Sequence, residues 1–417
     1  MNLSRLCTSF ADYLHSEDFL QIARHAEHPK AFSRTRKLPL PALVATLVSG
    51  LCKGVQAELD EFFAHLQQQA ALIRHVSAQA FAQARAKLHV DALPALNDHL
   101  LNLIERAGGV PRWHGLRRIA VDATQLRFGL RASHVPRAAS RDALALALYL
   151  PDAQLTLAAQ LHSTCVGERQ ALFEQLDHLG PGDLLLLDRG YPCRWLVGVL
   201  QRHGIDFCMR VDTAGERGFA RVQAFRKSDL AEQIVTLPPP EPQDVVDFDC
   251  PPEPATVRLI RHVCADGTCR ILMTSLMDAE RFPATLFAGL YHQRWSIEEG
   301  FKRLKHRLCV EHVSGLTHLA VQQDFAAKVL CDNLAALFTL AARETHAVRA
   351  QRRTNRAYAR TALKPLIPAL LFGCACVAML QSVVKLIASQ TFKHRPGRSR
   401  PRPDRPKPHK HIAYKTC

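Results

Sequence analysis

Asp183-Leu-Leu-Leu-Leu-Asp188-Arg189-Gly190-Tyr191 constrains the fold more than any other stretch of this chain. Four consecutive Leu bounded by turn-forming residues read as a short strand buried on both faces, which suits the centre of a sheet better than an edge. A strand of that kind belongs to an open α/β sheet. Asp188 then stands at its carboxyl end, where such sheets usually bind ligands. Arg117-Arg-Ile-Ala-Val-Asp122-Ala-Thr124 repeats the pattern as a shorter apolar strand ending in Asp and a polar turn. Alone, Asp122 reads more readily as a turn former, and Asp188 equally well as one.

A third carboxylate comes from the segment Tyr291-His-Gln-Arg294-Trp295-Ser-Ile-Glu298-Glu-Gly-Phe-Lys302-Arg-Leu-Lys305. Placed on a helix at about 100° per residue, Tyr291, Arg294, Glu298, Lys302 and Lys305 fall within roughly 80° of arc. Leu290, Ile297, Phe301, Leu304 and Leu308 form an apolar stripe beside them. One face packs, and the next presents a carboxylate among cations, which suits a site holding metal and phosphates together. The plain alternative is a surface helix with paired charges. Glu299 lies about 100° away from Glu298 and leaves the arc.

The spacing Tyr-x2-Arg-x3-Glu-x6-Lys, with Trp295 directly after the Arg, resembles the signature of the IS-four group of bacterial insertion-sequence transposases of the DDE class. That class needs two upstream aspartates, each on a buried strand, and Asp122 and Asp188 answer to them. Similar text covers most of residues 75–360. The resemblance implies that Asp122, Asp188 and Glu298 are the catalytic residues and metal ligands. Two Mg²⁺ (or Mn²⁺) ions about 3.5–4 Å apart would activate the nucleophile and stabilise the leaving oxygen of a phosphodiester, with Asp122 bridging them. It also implies DNA contacts by Tyr291, Arg294, Trp295, Lys302 and Lys305, and by Arg189 beside the second Asp. One departure is Asp122-Ala-Thr where many relatives carry Asp-Gly-Thr. Ala fits most turns but not one with positive φ.

Residues 106–212 read as the first part of the catalytic core. Strands are expected over Ile119–Val121, Ala143–Leu150, Leu155–Leu161, Leu184–Leu187 and Phe207–Val211, with helices over Glu168–Leu179 and Arg194–Arg202. The order β-β-β-α-β-α-β is the ribonuclease H-like arrangement of DDE recombinases, so the fold class expected is α/β with a ribonuclease H-like core. Residues 213–270 read as a mainly β insertion, acidic between Glu241 and Glu253. Any DNA contact there is expected at Arg217, Arg221, Arg226 and Lys227. Residues 271–345 complete the core, with an amphipathic stretch over Val321–Leu340.

Residues 1–105 read as a helical DNA-binding region. A helix opened by Ser77 carries Arg85 and Lys87 on an Ala-rich scaffold, and the resemblance makes this region the candidate reader of terminal inverted repeats. Residues 346–390 read as helical, including a basic helix over Arg349–Arg360 and a buried helix over Ala369–Leu380. Residues 391–417 form a basic tail rich in Pro that cannot build a core.

A formal charge of +16 calls for a polyanionic partner, for which nucleic acid is the default. None of the 13 Cys has the paired spacing of a zinc site, and free thiols fit a reducing cytoplasm. No membrane partner is expected: residues 1–20 are broken by charges, and the apolar run at 369–380 is too short to span a bilayer. The expected activity is cleavage at the ends of an insertion sequence followed by transfer into target DNA. A homodimer would pair the two ends, acting at the bacterial nucleoid. A stand-alone metal-dependent nuclease and a catalytically idle DNA-binding descendant are the alternatives.

Overall fold

The computed structural model describes residues 1–33, 37–128, 142–211, 219–264, 267–315, 317–349 and 351–393. Arg217 and all of the basic tail beyond Lys393 lie outside them. The chain is mixed α/β and forms two units. One comprises residues 110–125 and 144–300; the other comprises 1–109, 126–143 and 301–417.

The first unit is built on an eight-stranded sheet. Its strands are β1 (Arg117–Leu126), β2 (Ala143–Leu150), β3 (Leu155–Ser163), β4 (Asp183–Leu187), β5 (Asp206–Arg210), β6 (Glu232–Leu237), β7 (Ala255–Val263) and β8 (Cys269–Thr274). Their spatial order is β3-β2-β1-β4-β5-β8-β7-β6. β4 is parallel to both β1 and β5, and β5, β8, β7 and β6 pair antiparallel in turn. Leu184 to Leu187 are completely buried, as a central strand requires.

Register places the aspartates. Arg117 pairs with Asp183 and Ala120 with Leu186. Continued two residues, one past the end of β4, that register brings Asp188 level with Asp122, near enough to raise its carboxyl. The register is pinned at the opposite end by a bidentate pair, Arg117 Nε and Nη2 donating to Asp183 Oδ1 and Oδ2 at 2.6 and 2.8 Å. Such fork-to-carboxylate pairs add geometric specificity to energy. β1 does not stop at Asp122 but runs on to Leu126, so Ala123 lies in extended backbone where a glycine has no advantage.

The stretch expected as an insertion is continuous with this sheet: β6, β7 and β8 extend it beyond β5. Two helices accompany them, Ala220–Lys227 and Pro242–Phe248. Two acids of the stretch are ion-paired. Arg194 pairs with Glu241 and Arg202 with Asp249, both from the helix Arg194–Arg202, while Trp195 stacks on Phe248 at 3.7 Å. Arg258 on β7 is buried. It pairs with Glu232 on β6 and donates through Nη1 to the carbonyl oxygens of Leu276 and Phe282 at 3.3 and 2.8 Å. It thereby ties the sheet to the segment that leads into residues 287–300.

The second unit is helical around His318–Thr345, whose Thr317 cap accepts from Ala320 N. That helix was expected to be amphipathic, yet it is buried on nearly every side. It is long and apolar enough to cross a membrane, but 89% of its most apolar window is buried inside the protein, as in a core helix. Its polar residues are satisfied inside: Asn333 Nδ2 donates to Asn97 Oδ1 at 2.6 Å, and Lys328 Nζ donates to the Cys309 and His312 carbonyls at 2.8 and 2.6 Å.

Two helical expectations fail here for local reasons. Ala369–Leu380 is two helices, Ile367–Leu371 and Val377–Ser389, separated at Gly373. Gly373 takes φ +69°, and Cys374 N returns to the Ala369 carbonyl, a helix-ending arrangement that glycine favours. Arg349–Arg360 is also interrupted. Arg352–Thr354 pairs as a strand with Thr391–Lys393, and Asn355 then caps a new helix, Arg356–Leu363, by accepting from Ala357 N and Tyr358 N.

Candidate active site

The signature segment is not one regular helix. It comprises Phe287–His292, a 3₁₀ turn over Gln293–Trp295, and Ser296–His306. The tighter turn breaks the 100° arithmetic between Arg294 and Glu298. Tyr291 and Arg294 fall on the packed side: they are 5% and 6% exposed. Tyr291 belongs to the apolar cluster of Leu184, Leu186, Leu272 and Phe287 beneath the sheet. The Arg294 guanidinium lies 5.0 Å from the Trp295 ring centre and 5.9 Å from that of Tyr291.

Arg294 Nη1 reaches Asp122 Oδ2 at 3.8 Å. The phenol is packed away, and the guanidinium compensates charge at the first aspartate. Burial pushes the Tyr291 hydroxyl up to about 12, so it stays protonated.

Glu298 follows one turn after Arg294 and is half-buried, whereas Glu299 is exposed. Gly300 explains how the helix comes so near the sheet. A Cβ at this position would meet Tyr149 Cε2 on β2 at 3.2 Å. The glycine is there for close approach, since its φ is not positive.

Asp122 Oδ1 accepts from Ala123 N at 3.0 Å. Its carboxyl is raised to about 6, chiefly by burial, with Asp188 and Glu168 adding to the rise and Arg294 and the Ala123 amide opposing it. Asp188 Oδ1 accepts from Gly190 N at 2.7 Å, which shapes the turn after β4. Glu168, the first residue of the helix Glu168–Phe173, is also raised, first by burial and then by Asp188. Tyr191 is fully buried. Its hydroxyl faces Glu168, Asp122 and Asp188. The fold thus gathers Asp122, Asp188, Glu168, Arg294 and Tyr191.

Glu168 was not identified from the sequence, where it reads as an ordinary acid in the first turn of a helix. The available signal was its position between the two aspartate strands, directly after β3.

The donor set is oxygen-rich and matches hard divalent cations in kind. Among the described residues, no three His, Cys, Asp or Glu side chains stand close enough as they are to hold an ion. Asp188 nevertheless adds to the rise of both the Asp122 and the Glu168 carboxyls, so a divalent cation would relieve repulsion that the fold itself creates.

The raised Asp122 carboxyl, owed chiefly to burial, has a measurable consequence. Between the ordinary Asp value and about 6, the folded chain holds a proton on Asp122 that the unfolded chain has lost. Stability from this group therefore falls as pH rises through that window. In metal-free buffer, Asp122→Asn is expected to stabilise the protein at pH 7 by roughly 2–3 kcal/mol and to change little at pH 4. Denaturant unfolding at both pH values measures this. Equal stability of variant and wild type at pH 7 would refute it.

The remaining predicted DNA-binding residues divide. Arg189, Lys302 and Trp295 are exposed, and Lys305 is half-buried. In the helical unit, Lys87 is half-buried and lines a cavity of about 700 Å³ with Lys30, Lys37 and His75. Arg85 is 3% exposed. Its Nε donates to Gln323 Oε1 at 3.0 Å, and its Nη2 to Asp324 Oδ1 at 2.9 Å and the Ala320 carbonyl at 2.8 Å. In this structure it serves as an internal tie.

Residues 113–334 match the family described as Transposase DDE domain. The chain is 26% identical over 312 residues to the transposase InsG for insertion sequence element IS4 of Escherichia coli (strain K12), covering 72% of this chain and 69% of that protein. It is also similar to the piggyBac transposase solved as a synaptic complex with hairpin DNA. That likeness has a TM-score of 0.43 and 10% identity, over 95% of this chain and 87% of the other.

Proposed function

This chain belongs to the family of transposases with a DDE domain, and from that premise we propose that Asp122, Asp188 and Glu298 are its catalytic carboxylates. The observation that carries the assignment is the register of β1 and β4, which sets Asp122 and Asp188 level, together with the ion pair from Arg294 on the Glu298 segment to Asp122. The sheet order β3-β2-β1-β4-β5 supports a ribonuclease H-like core.

As a transposase, the protein cuts and joins DNA, and chemistry of the DDE class depends on divalent metal. We take the metal to be two Mg²⁺ or Mn²⁺ ions, which when bound supply Lewis-acid activation of the attacking oxygen and stabilisation of the leaving one. Asp122, Asp188 and Glu298 would hold them. Arg294 keeps Asp122 from carrying its charge alone, and the buried apolar cluster behind β4 holds the aspartates in place. Arg189 and Trp295, exposed and each next in sequence to a site residue, suit phosphate pairing and base stacking. Lys302 and Lys305 extend the positive charge along the same helix.

In the helical unit, Lys87, Lys30 and Lys37 around their shared cavity are the best-supported contacts to terminal inverted repeats. Arg221, Arg226 and Lys227 are exposed along the helix Ala220–Lys227 and suit flanking DNA. Two ends cut together call for a homodimer, acting on nucleoid DNA in the bacterial cytoplasm.

The test is cleavage of a labelled duplex carrying the element's own terminal repeat, with Mg²⁺, for wild type and Asp188→Asn. Nicking that needs metal and is lost in the variant, with DNA affinity unchanged, is the expected result. Binding without cleavage by the wild type would point to an idle descendant, and failure to bind the repeat would remove the end-recognition reading.

A further inference from the structure

In the helical unit the Arg360 guanidinium is fixed among sulfurs. Its Nη2 donates to the Gly50 carbonyl and to Cys52 Sγ, both at 3.1 Å, and its Nη1 donates to the Arg307 carbonyl. Cys52 Sγ also lies 3.4 Å from the Leu308 carbonyl, which brings it to Cys309, and the two cysteine side chains share a hydrogen bond. Cys309 takes φ +47°, a backbone region that favours glycine. Residues with a side chain held in that region cluster at functional sites. Lys328 Nζ fixes this turn from below by donating to the Cys309 carbonyl at 2.8 Å. A third sulfur is close: a Cβ on Gly50 would stand 3.3 Å from Cys331 Sγ and 3.4 Å from Arg360 Nη2.

We propose that Cys52 and Cys309 form an oxidant-sensitive thiol pair, in which Cys52 attacks a peroxide and Cys309 resolves the product as a disulfide. The pair is independent of the carboxylates and of any metal they hold.

The thiolate is the reactive form of cysteine, and a neighbouring Arg stabilises it. The Cys309 hydrogen bond, then Arg360 and Lys328, hold the Cys52 thiol well below its ordinary range against the opposing effect of burial. Glu58, which accepts from Cys52 N at 2.8 Å, has its own charge balanced by Lys364 Nζ at 2.8 Å. The proton of the pair rests on Cys309, whose thiol is raised by the same shared bond. In the first step the Cys52 thiolate bonds to one peroxide oxygen, and the O–O bond breaks to release hydroxide, leaving a sulfenic acid. In the second, the Cys309 sulfur bonds to that of Cys52, and its proton leaves with the hydroxyl as water. The two thiols lose two electrons and the peroxide gains them. Both residues are half-buried, open enough for a small oxidant, whereas Cys331 is buried and its thiol is pushed up to about 11 by that burial.

The experiment exposes the reduced full chain to hydrogen peroxide at pH 7, caps the remaining thiols with iodoacetamide and maps the products by mass spectrometry. The expected product is a disulfide between Cys52 and Cys309. It should form about ten-fold or more faster than the exposed Cys374 and Cys376 are oxidised, and dithiothreitol should reverse it. Cys309→Ser is expected to stop at the sulfenic acid on Cys52, which dimedone traps, and Cys52→Ser to leave Cys309 reduced. Oxidation of Cys52 in the wild type no faster than that of Cys374 overturns the proposal, and that arm needs no variant to fold. A linkage from Cys52 to Cys331, or a dimedone adduct on Cys309 in Cys52→Ser, overturns the assignment of the two roles.

Discussion

Replacing Glu298 by Gln is expected to abolish strand cleavage, with a rate loss of at least about 10³-fold, or roughly 4 kcal/mol of transition-state stabilisation. Affinity for the terminal-repeat duplex should stay within a factor of two or so of wild type, since an acid at the metal site adds nothing to phosphate attraction. Glu299→Gln is the matched control and should cleave within a few-fold of wild type. The two acids are adjacent in sequence but differ in setting. Glu298 is half-buried on a helix held against β2 by the Gly300–Tyr149 approach, and Glu299 is exposed. Single-turnover cleavage at saturating DNA separates the two outcomes. If Glu299→Gln is the dead variant and Glu298→Gln cuts normally, the third carboxylate has been assigned to the wrong residue.

The second large effect is on stability. Arg85→Ala is expected to cost about 3–5 kcal/mol, the usual result of removing one partner of a buried ion pair. Asp324 would be left fully buried without its guanidinium. Burial alone would push its carboxyl up, and Arg85, Lys328 and Ser314 together hold it below the ordinary range. The loss also strips donors from Gln323, Ser314 and the Ala320 carbonyl. Arg85→Ala combined with Asp324→Ala should recover part of the stability, because no charge is then stranded. Denaturant unfolding of the three variants measures this. A fully stable Arg85→Ala protein with weakened DNA binding would return Arg85 to the DNA interface.

Arg85 also shows where a sequence stops being informative. On an Ala-rich helix, with Lys87 two residues on, it has the composition of a nucleic-acid contact. Its partner, Asp324, lies more than 200 residues away, and no local pattern announces it. Tyr291 and Arg294 are likewise buried where their spacing alone suggests a charged face. Their spacing carries the family signature, but periodicity cannot reveal the 3₁₀ turn at Gln293–Trp295 or the depth at which the turn packs. Glu168 was overlooked for the converse reason. An acid opening a helix has a sufficient local explanation, and only the fold shows it facing Asp188.

What the sequence determined by itself was whatever rests on neighbours along the chain. The all-Leu strand, the helix Arg194–Arg202 and the succession of strands and helices from 117 to 210 follow from local burial patterns. So does the family, because its signature is a spacing. Tertiary structure decided which of these pieces meet. Pairing register set Asp122 level with Asp188, a gap at Gly190 opened toward Glu168, and a buried aspartate took Arg85 from the surface. Each of those outcomes depends on groups distant in sequence sharing one low-dielectric space, where burial and charge are settled together.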